Sequence, residues 1–166
     1  ISHYKMAIKI KPDFAAAYNN LGNALSAERK IEEAISHYKM AIKLNPDYAE
    51  AYNNLGAVLF AKQKIEEAIS HYKMAIKLNP DFAEAHNNLG NTLRKEGRTS
   101  EAISHYKMAI KIKPDFAEAH YNLGNALFTK QKNEEAISHY KMAIKIKPDY
   151  AEAHNNLGSA LLQNGE

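Results

Sequence analysis

A 34-residue period limits what this chain can fold into more than any other feature. The letters AISHYKMAIK occur at residues 34–43, 68–77, 102–111 and 136–145, and ISHYKMAIK occupies residues 1–9. Prolines recur at the same interval, each followed by Asp and then by Phe or Tyr; they are Pro12, Pro46, Pro80, Pro114 and Pro148. A fixed period between about 20 and 50 residues is typical of a stacked array, in which no single copy buries its apolar surface alone.

The proline motif also sets the predicted repeat boundaries. We cut each repeat after the aromatic residue behind the proline, so that residues 1–166 form a single array. The predicted full repeats are 15–48, 49–82, 83–116 and 117–150, with half repeats at 1–14 and 151–166.

Each repeat is predicted to contain two helices. In repeat 49–82, apolar or small residues recur with a spacing of three and four in both halves: Tyr52, Leu55, Gly56 and Leu59, then Ala68, Ile69, Tyr72, Ala75 and Ile76. That spacing places them on one face of a helix with 3.6 residues per turn. Pro80 ends the second helix, because proline lacks an N–H and disfavours helix in the residue before it. Alternation typical of β-strands is absent, so the sequence predicts an all-α fold.

Glycine is expected to mark close helix packing in this array. One glycine lies inside each first helix, at Gly22, Gly56, Gly90, Gly124 and Gly158. A mid-helix glycine costs about 1 kcal/mol relative to alanine. We therefore expect the partner helix to approach closely there, through small residues such as Ala68 and Ala75.

An acidic pair at the start of each first helix has two interpretations. Asp and Glu stand three residues apart at Asp47/Glu50, Asp81/Glu84, Asp115/Glu118 and Asp149/Glu152. The pairs could serve as general acid and base, but a helix capping box already explains both residue types and the spacing. We favour the capping box.

Composition excludes several classes of protein. The chain has 22 basic and 19 acidic residues, a net charge of +3, which is too balanced to predict binding to nucleic acid or to an anionic membrane. It contains no cysteine, so the sequence does not indicate whether the protein works in an oxidising or a reducing compartment. The cytoplasm is the default expectation. No apolar run approaches the ~20 residues that span a bilayer, so membrane insertion is not expected.

Catalysis, cofactors and metals are not predicted. The chain has no nucleophile-plus-base set, HExxH, P-loop or dinucleotide motif. One histidine per repeat could be read as a metal ladder: His3, His37, His71, His105 and His139. They lack a cluster of further ligands, so we predict that they pack against neighbours or face solvent.

The repeat resembles the tetratricopeptide repeat (TPR) family. The resemblance rests on the 34-residue period and on a set of positions that recur in every repeat, in 49–82 as Tyr52, Leu55, Gly56, Leu59, Ala68, Tyr72, Ala75 and Pro80. It implies an α-solenoid of antiparallel helix–turn–helix units forming a right-handed superhelix. First helices would line a concave groove, and second helices would form the outer wall.

The sixth residue of each repeat is the leading candidate for ligand contact. It is Asn20, Asn54, Asn88, Asn122 and Asn156. A carboxamide carries donor and acceptor groups, so it can pair with a peptide unit without reading side chains. Among TPR proteins, this ladder is most similar to that of O-linked N-acetylglucosamine transferases, which implies peptide-backbone binding. The alternative is that each Asn bonds to a neighbouring helix end.

Positions that vary between repeats supply the remaining candidates. By resemblance, the fifth, ninth and twelfth residues of a repeat face the groove. The candidates are Asn53, Asn87 and Tyr121, then Asn91 and Asn125, then Phe60, Arg94 and Phe128. We expect the two Phe to be exposed anchors for a partner, and the alternative is that they pack against the next repeat.

Three functions are compatible with this sequence. The leading hypothesis is a non-catalytic scaffold that binds an extended peptide or protein segment in its groove. The second is the substrate-recruiting arm of a larger glycosyltransferase. The third is end-to-end self-association, because residues 1–11 and about 151–164 are complementary halves of one repeat.

Overall fold

The computed structural model describes residues 1–165, and within that range the chain forms ten α-helices and no strand, as the sequence predicted. The helices are α1 (Ser2–Ile10), α2 (Ala15–Ala27), α3 (Ile31–Leu44), α4 (Ala49–Ala61), α5 (Ile65–Leu78), α6 (Ala83–Lys95), α7 (Thr99–Ile112), α8 (Ala117–Thr129), α9 (Asn133–Ile146) and α10 (Ala151–Asn164). Each full repeat therefore holds a 13-residue first helix and a 14-residue second helix. No helix among the described residues is long and apolar enough to cross a membrane.

The chain divides into two compact units, which we call the N-terminal unit (Ile1–Pro80) and the C-terminal unit (Asp81–Glu166). In the N-terminal unit, α3 packs mainly on α2 and also contacts α4, which pairs with α5. In the C-terminal unit, α7 contacts both α6 and α8, and α9 contacts both α8 and α10. A second helix that bridges two first helices is the stacking that a solenoid of helical hairpins requires. The predicted solenoid class is confirmed.

A glycine–tyrosine contact holds each hairpin together. A Cβ atom at Gly56 would lie 2.8 Å from the ring of Tyr72, and one at Gly124 would lie 2.6 Å from the ring of Tyr140. Both rings are almost fully buried. The predicted close approach is confirmed, but the expected partner was wrong. A tyrosine ring covers the glycine, because only the absence of a side chain leaves room for a buried ring.

The predicted capping boxes are wrong. The residue that precedes α4 is Tyr48, and no side chain caps this helix. The Tyr48 N–H donates to the Asn45 carbonyl at 3.2 Å, which closes a turn around Pro46 and Asp47. Proline favours the second position of such a turn, so Asp47 lies one residue too early to cap the helix. The helices α6, α8 and α10 also begin after an aromatic residue without a side-chain cap.

Candidate functional site

The sixth-residue asparagines link neighbouring first helices. In the N-terminal unit, the Asn54 amide donates to the Asn19 side-chain oxygen at 3.0 Å, and α2 is thereby tied to α4. In the C-terminal unit, the Asn122 amide donates to the Asn87 oxygen at 3.0 Å. The Asn156 amide donates to the Tyr121 hydroxyl at 3.2 Å. All three bonds join the sixth residue of one repeat to the fifth residue of the preceding repeat.

This register gives the asparagines a structural role, as the alternative interpretation expected, but the partner is a side chain within the neighbouring first helix and not a helix end. The bond of Asn122 uses one of the two N–H groups of its carboxamide, whereas Asn156 uses both, since its amide also donates to Asn125. Asn122 is buried, whereas Asn54 and Asn156 are half-buried and Asn20 is exposed. The ladder therefore spaces the first helices, and a role in ligand contact stays a prediction.

The ninth-residue asparagines receive a hydrogen bond from the second helix. The Tyr38 hydroxyl donates to Asn23 at 2.9 Å, and the Tyr140 hydroxyl donates to Asn125 at 2.9 Å. Burial raises the pKa of Tyr140 to about 12, with Tyr121 adding to the effect, so the hydroxyl remains a donor at neutral pH. The residues are 15 apart in each pair, and that constant separation was the sequence signal for this contact.

A pocket of about 230 Å³ lies in the C-terminal unit where three helices meet. Its lining residues are Asn125, Phe128 and Thr129 of α8, Tyr140 of α9, and Asn156 and Ser159 of α10. Three of these six, Asn125, Phe128 and Asn156, were predicted from the sequence as binding residues. Sequence reasoning did not select Thr129, Tyr140 or Ser159 as binding residues.

Hydrogen bonding fixes which group Asn125 can offer in this pocket. Its side-chain oxygen accepts from the Tyr140 hydroxyl and from the Asn156 amide, the latter at 2.8 Å. These two bonds fill the lone pairs of the oxygen. The Asn125 amide nitrogen is therefore the group available for a ligand, and an N–H donor selects a carbonyl or another acceptor.

Other predicted residues have different surroundings. Phe60 and Phe128 are half-buried, so the expectation that they are exposed was wrong. Each lies in the last turn of a first helix, where part of the ring packs within the array. Tyr121 is half-buried as well, with its ring 4.9 Å from that of Tyr150 between centroids. Arg94 is exposed, and its guanidinium opposes the rise that burial causes in the pKa of Tyr106.

A second cavity of about 330 Å³ lies at the turn between α8 and α9. It is lined only by polar and charged residues: Gln131, Lys132, Asn133, Glu134, Glu135 and Asn164. The side-chain oxygen of Asn133 is buried there without a hydrogen-bond partner among the described residues. With no apolar or aromatic residue and both signs of charge, this cavity lacks the lining of a typical ligand pocket.

The second-helix histidines of the full repeats pack against a ring on the first helix of their own repeat, whereas His3 is exposed, and the prediction allowed either packing or exposure to solvent. His37 and His71 contact Tyr18 and Tyr52, each with ring centroids 5.9 Å apart. In the C-terminal unit, the corresponding partners are themselves histidines, and the Nδ1 atoms of His120 and His139 are 3.0 Å apart. Burial, and then the nearby His120 and Lys107, lower the pKa of His139 to about 4, against a smaller opposite effect of Glu135.

Hairpin stacking, the glycine–tyrosine contact and the amide links define a helical repeat protein. The chain matches the TPR repeat over residues 1–28, 27–63, 58–97, 90–131 and 124–165. These matches cover nearly all of the sequence, so the chain belongs to the TPR repeat family.

Solved structures described as MamA are similar to this chain. Two of them, "Crystal structure of MamA" and "Crystal structure of MamA protein", share 30% sequence identity with it at TM-scores of 0.77 and 0.74. The alignments cover 90% of this chain and 87% and 81% of those chains. A third, "MamA RS-1 ArsTM double mutant", has a TM-score of 0.80 at 21% identity over 90% of this chain and 84% of that one, and it supports the fold alone. A search of curated proteins finds no match.

Proposed function

We propose that this chain is a non-catalytic scaffold that binds an extended peptide or protein segment on the first-helix face of its C-terminal unit. The observation that carries the proposal is the pocket of about 230 Å³ that combines an amide donor with an aromatic wall. Membership of the TPR family supports it, because the resemblance implies a ligand on the first helices.

The chemistry of the pocket fits a peptide. The Asn125 amide would donate to a backbone carbonyl, and Phe128 would contact the neighbouring side chain. Small-molecule sites usually enclose about 300–1,000 Å³, so a pocket below that range suits one side chain of a longer ligand. Asn88, Asn122 and Asn156 would then hold the backbone along the same face. Asn122 would use the N–H group that remains beyond its bond to Asn87. Asn156 would use the remaining lone pair of its oxygen, because both of its N–H groups already donate within the array.

An aspartate substitution separates binding from folding. Asn125→Asp keeps oxygen acceptors for Tyr140 and Asn156 but replaces the amide donor with a second oxygen. We expect a peptide selected from a random library to bind this variant at least about tenfold more weakly, a loss of about 1.4 kcal/mol. Phe128→Ala should give a similar loss through the missing ring. Titration calorimetry measures both affinities, and circular dichroism confirms the fold.

Two further variants control for a general effect. Asn23→Asp makes the same change in the N-terminal unit, and Met142→Ala removes a side chain that is 40% exposed on a second helix. Both should bind the peptide as the wild type does. Unchanged affinity in Asn125→Asp and Phe128→Ala, or an equal loss in Met142→Ala, contradicts the proposal.

A further inference from the structure

The six residues that line the pocket of the C-terminal unit have counterparts one repeat earlier in the same unit. Subtracting the 34-residue period from the lining residues gives Asn91, Arg94, Lys95, Tyr106, Asn122 and Asn125. The polar framework is the same in both sets, because the Tyr106 hydroxyl donates to Asn91 at 2.8 Å just as the Tyr140 hydroxyl donates to Asn125 at 2.9 Å. The earlier set therefore presents similar hydrogen-bonding groups on the same first-helix face.

The two sets differ in charge. At the position of Phe128 the earlier set has Arg94, and Lys95 follows it. The same two positions hold Ser26 and Ala27 in the first full repeat of the N-terminal unit, and no other repeat of the sequence has a charged residue at either position. The positive charge is therefore a property of one place on this face and not of the repeat framework.

The Arg94 guanidinium lies close to the tyrosine hydroxyls of both sets. Burial raises the pKa of Tyr106, and Arg94 opposes that rise through a side-chain hydrogen bond and through its charge. Burial also raises the pKa of Tyr140, and the charge of Arg94 is among the effects that lower it. Charges in salt solution act over about 10 Å. The guanidinium is therefore within reach of a ligand that occupies the pocket beside Tyr140.

Arg94 is exposed and has no carboxylate partner among the described residues. Arg98 differs, because its Nε and Nη2 atoms each donate to a Glu101 oxygen at 2.8 Å. Glu118 acts electrostatically on the same tyrosine as Arg94, but its oxygen accepts from the Asn87 amide at 3.1 Å. A guanidinium offers paired N–H groups that match a carboxylate, so Arg94 can bind an acidic group that a ligand supplies.

We infer that the ligand of this face carries an acidic side chain, bound by Arg94, about three residues away from the side chain that Phe128 contacts. This inference rests on the proposed peptide binding and names the class of peptide. The helices α6 and α8 contact each other, and packed helices lie about 8–10 Å apart. An extended segment in the polyproline II conformation advances about 3.1 Å per residue with three residues per turn. Two side chains three residues apart therefore reach both positions from one side of such a segment.

A double-mutant cycle tests the pairing, and its probe is the peptide that a random library yields on the wild-type chain. We expect this peptide to contain Asp or Glu about three residues from an apolar residue. Arg94→Gln should bind it at least about tenfold more weakly in titration calorimetry. Replacing the acidic residue of the peptide by its amide should cause the same loss with the wild-type chain and no further loss with Arg94→Gln.

An exchange of charge should produce a gain in affinity. Arg94→Glu should bind the selected peptide more weakly still than Arg94→Gln does, because two carboxylates then face each other. A peptide with Lys in place of its acidic residue should bind Arg94→Glu at least about tenfold more tightly than the selected peptide does. Since Arg94 is exposed, both variants should keep the fold, which circular dichroism checks.

Arg98→Gln is the matched control, because it removes the same charge from a guanidinium that is already paired with Glu101. It should bind the selected peptide as the wild type does. Selected peptides without an acidic residue, equal affinities of the wild type and Arg94→Gln, or an equal loss in Arg98→Gln would each overturn the inference. Failure of the proposed function looks different, because Asn125→Asp and Phe128→Ala would then bind the peptide as the wild type does.

Discussion

The N-terminal and C-terminal units share one framework and differ in the ring that faces the second-helix histidine. In the N-terminal unit this ring is Tyr18 or Tyr52, with centroids 5.9 Å from the histidine. In the C-terminal unit it is His86 or His120, with centroids 5.4 and 5.3 Å from the partner and the two Nδ1 atoms 3.1 and 3.0 Å apart. The glycine beneath each second-helix tyrosine is the same in both units.

This difference shows that packing requires a flat ring at this first-helix position but does not determine which residue supplies the ring. A flat ring is needed at the first-helix position, and either tyrosine or histidine meets that need. The choice changes the electrostatics, because the two Nδ1 atoms of a histidine pair face each other and a proton added to one ring disfavours a proton on the other. A tyrosine–histidine pair has only one group that becomes positively charged in acid. We therefore expect the two units to respond equally to changes in the shared framework and unequally to acid.

The largest expected effect tests the shared framework. Gly56→Ala and Gly124→Ala each place a Cβ atom 2.6–2.8 Å from a buried tyrosine ring. We expect each to lower the free energy of unfolding by about 1–3 kcal/mol, since overpacking outweighs the gain in helix propensity. Urea unfolding followed by circular dichroism measures both. A large cost in one unit and none in the other would show that the frameworks are not equivalent.

The next largest expected effect is a gain in the free energy of unfolding at the first position of α9, where the two units differ in sequence. Asn133 begins α9 with a buried, unpartnered oxygen, whereas Ile31 and Ile65 occupy this position in the N-terminal unit. A buried polar group without a partner costs about 1–3 kcal/mol. We expect Asn133→Ile to raise the free energy of unfolding by about 1 kcal/mol. Thermal and urea unfolding check this, with Ile65→Asn as the reciprocal variant that should destabilise. Destabilisation by Asn133→Ile would mean that the oxygen has a role in the fold.

The smallest effect concerns acid. The pKa of His139 is about 4 in the folded chain against an ordinary value of 6.5, chiefly because the ring is buried and secondarily because of His120. Between these pH values the unfolded chain binds a proton that the folded chain does not. The contribution of His139 to the free energy of unfolding is therefore fully present above pH 6.5 and is lost as the pH falls towards 4. Partial exposure of the ring limits the loss to less than about 1 kcal/mol.

A pair of exchanges tests the origin of this acid sensitivity. His120→Tyr copies the residue at Tyr52 and should weaken the dependence of the urea midpoint on pH between 6.5 and 4. Tyr52→His should strengthen it by placing a second histidine beside His71. The same pH dependence in wild type and both variants would contradict a role for the histidine pair.

The fold was predictable because the sequence repeats its constraints. Each repeat carries the same apolar stripe and the same proline, so the two helices of a repeat and the need for repeats to stack followed from spacing, while the antiparallel pairing was implied by the resemblance to the TPR family. The partner of Gly56 did not follow, because Tyr72 and the small residues Ala68 and Ala75 all lie on the inner face of the second helix. Only the structure shows which of these side chains reaches the glycine.

The candidate site was predictable in part. Asn125, Phe128 and Asn156 were selected because they recur or vary at fixed positions of the repeat, and the structure brings them to one pocket. The contribution of Tyr140 was missed, because a residue of the core stripe was assigned to packing alone. Its hydroxyl extends past the core and fixes the orientation of Asn125. The spacing of apolar residues indicates which face of a helix is buried, but it does not indicate how far a side chain extends beyond the core.

The most direct test of ligand binding on the first-helix face is an NMR titration with a library-selected peptide, observing the side-chain amide protons of asparagine. We predict that the Asn125 amide resonances shift most, and that the shifts saturate at the affinity found by calorimetry. Shifts confined to outer residues of the second helices, such as Lys141 and Met142, with an unperturbed Asn125 amide, would contradict the account.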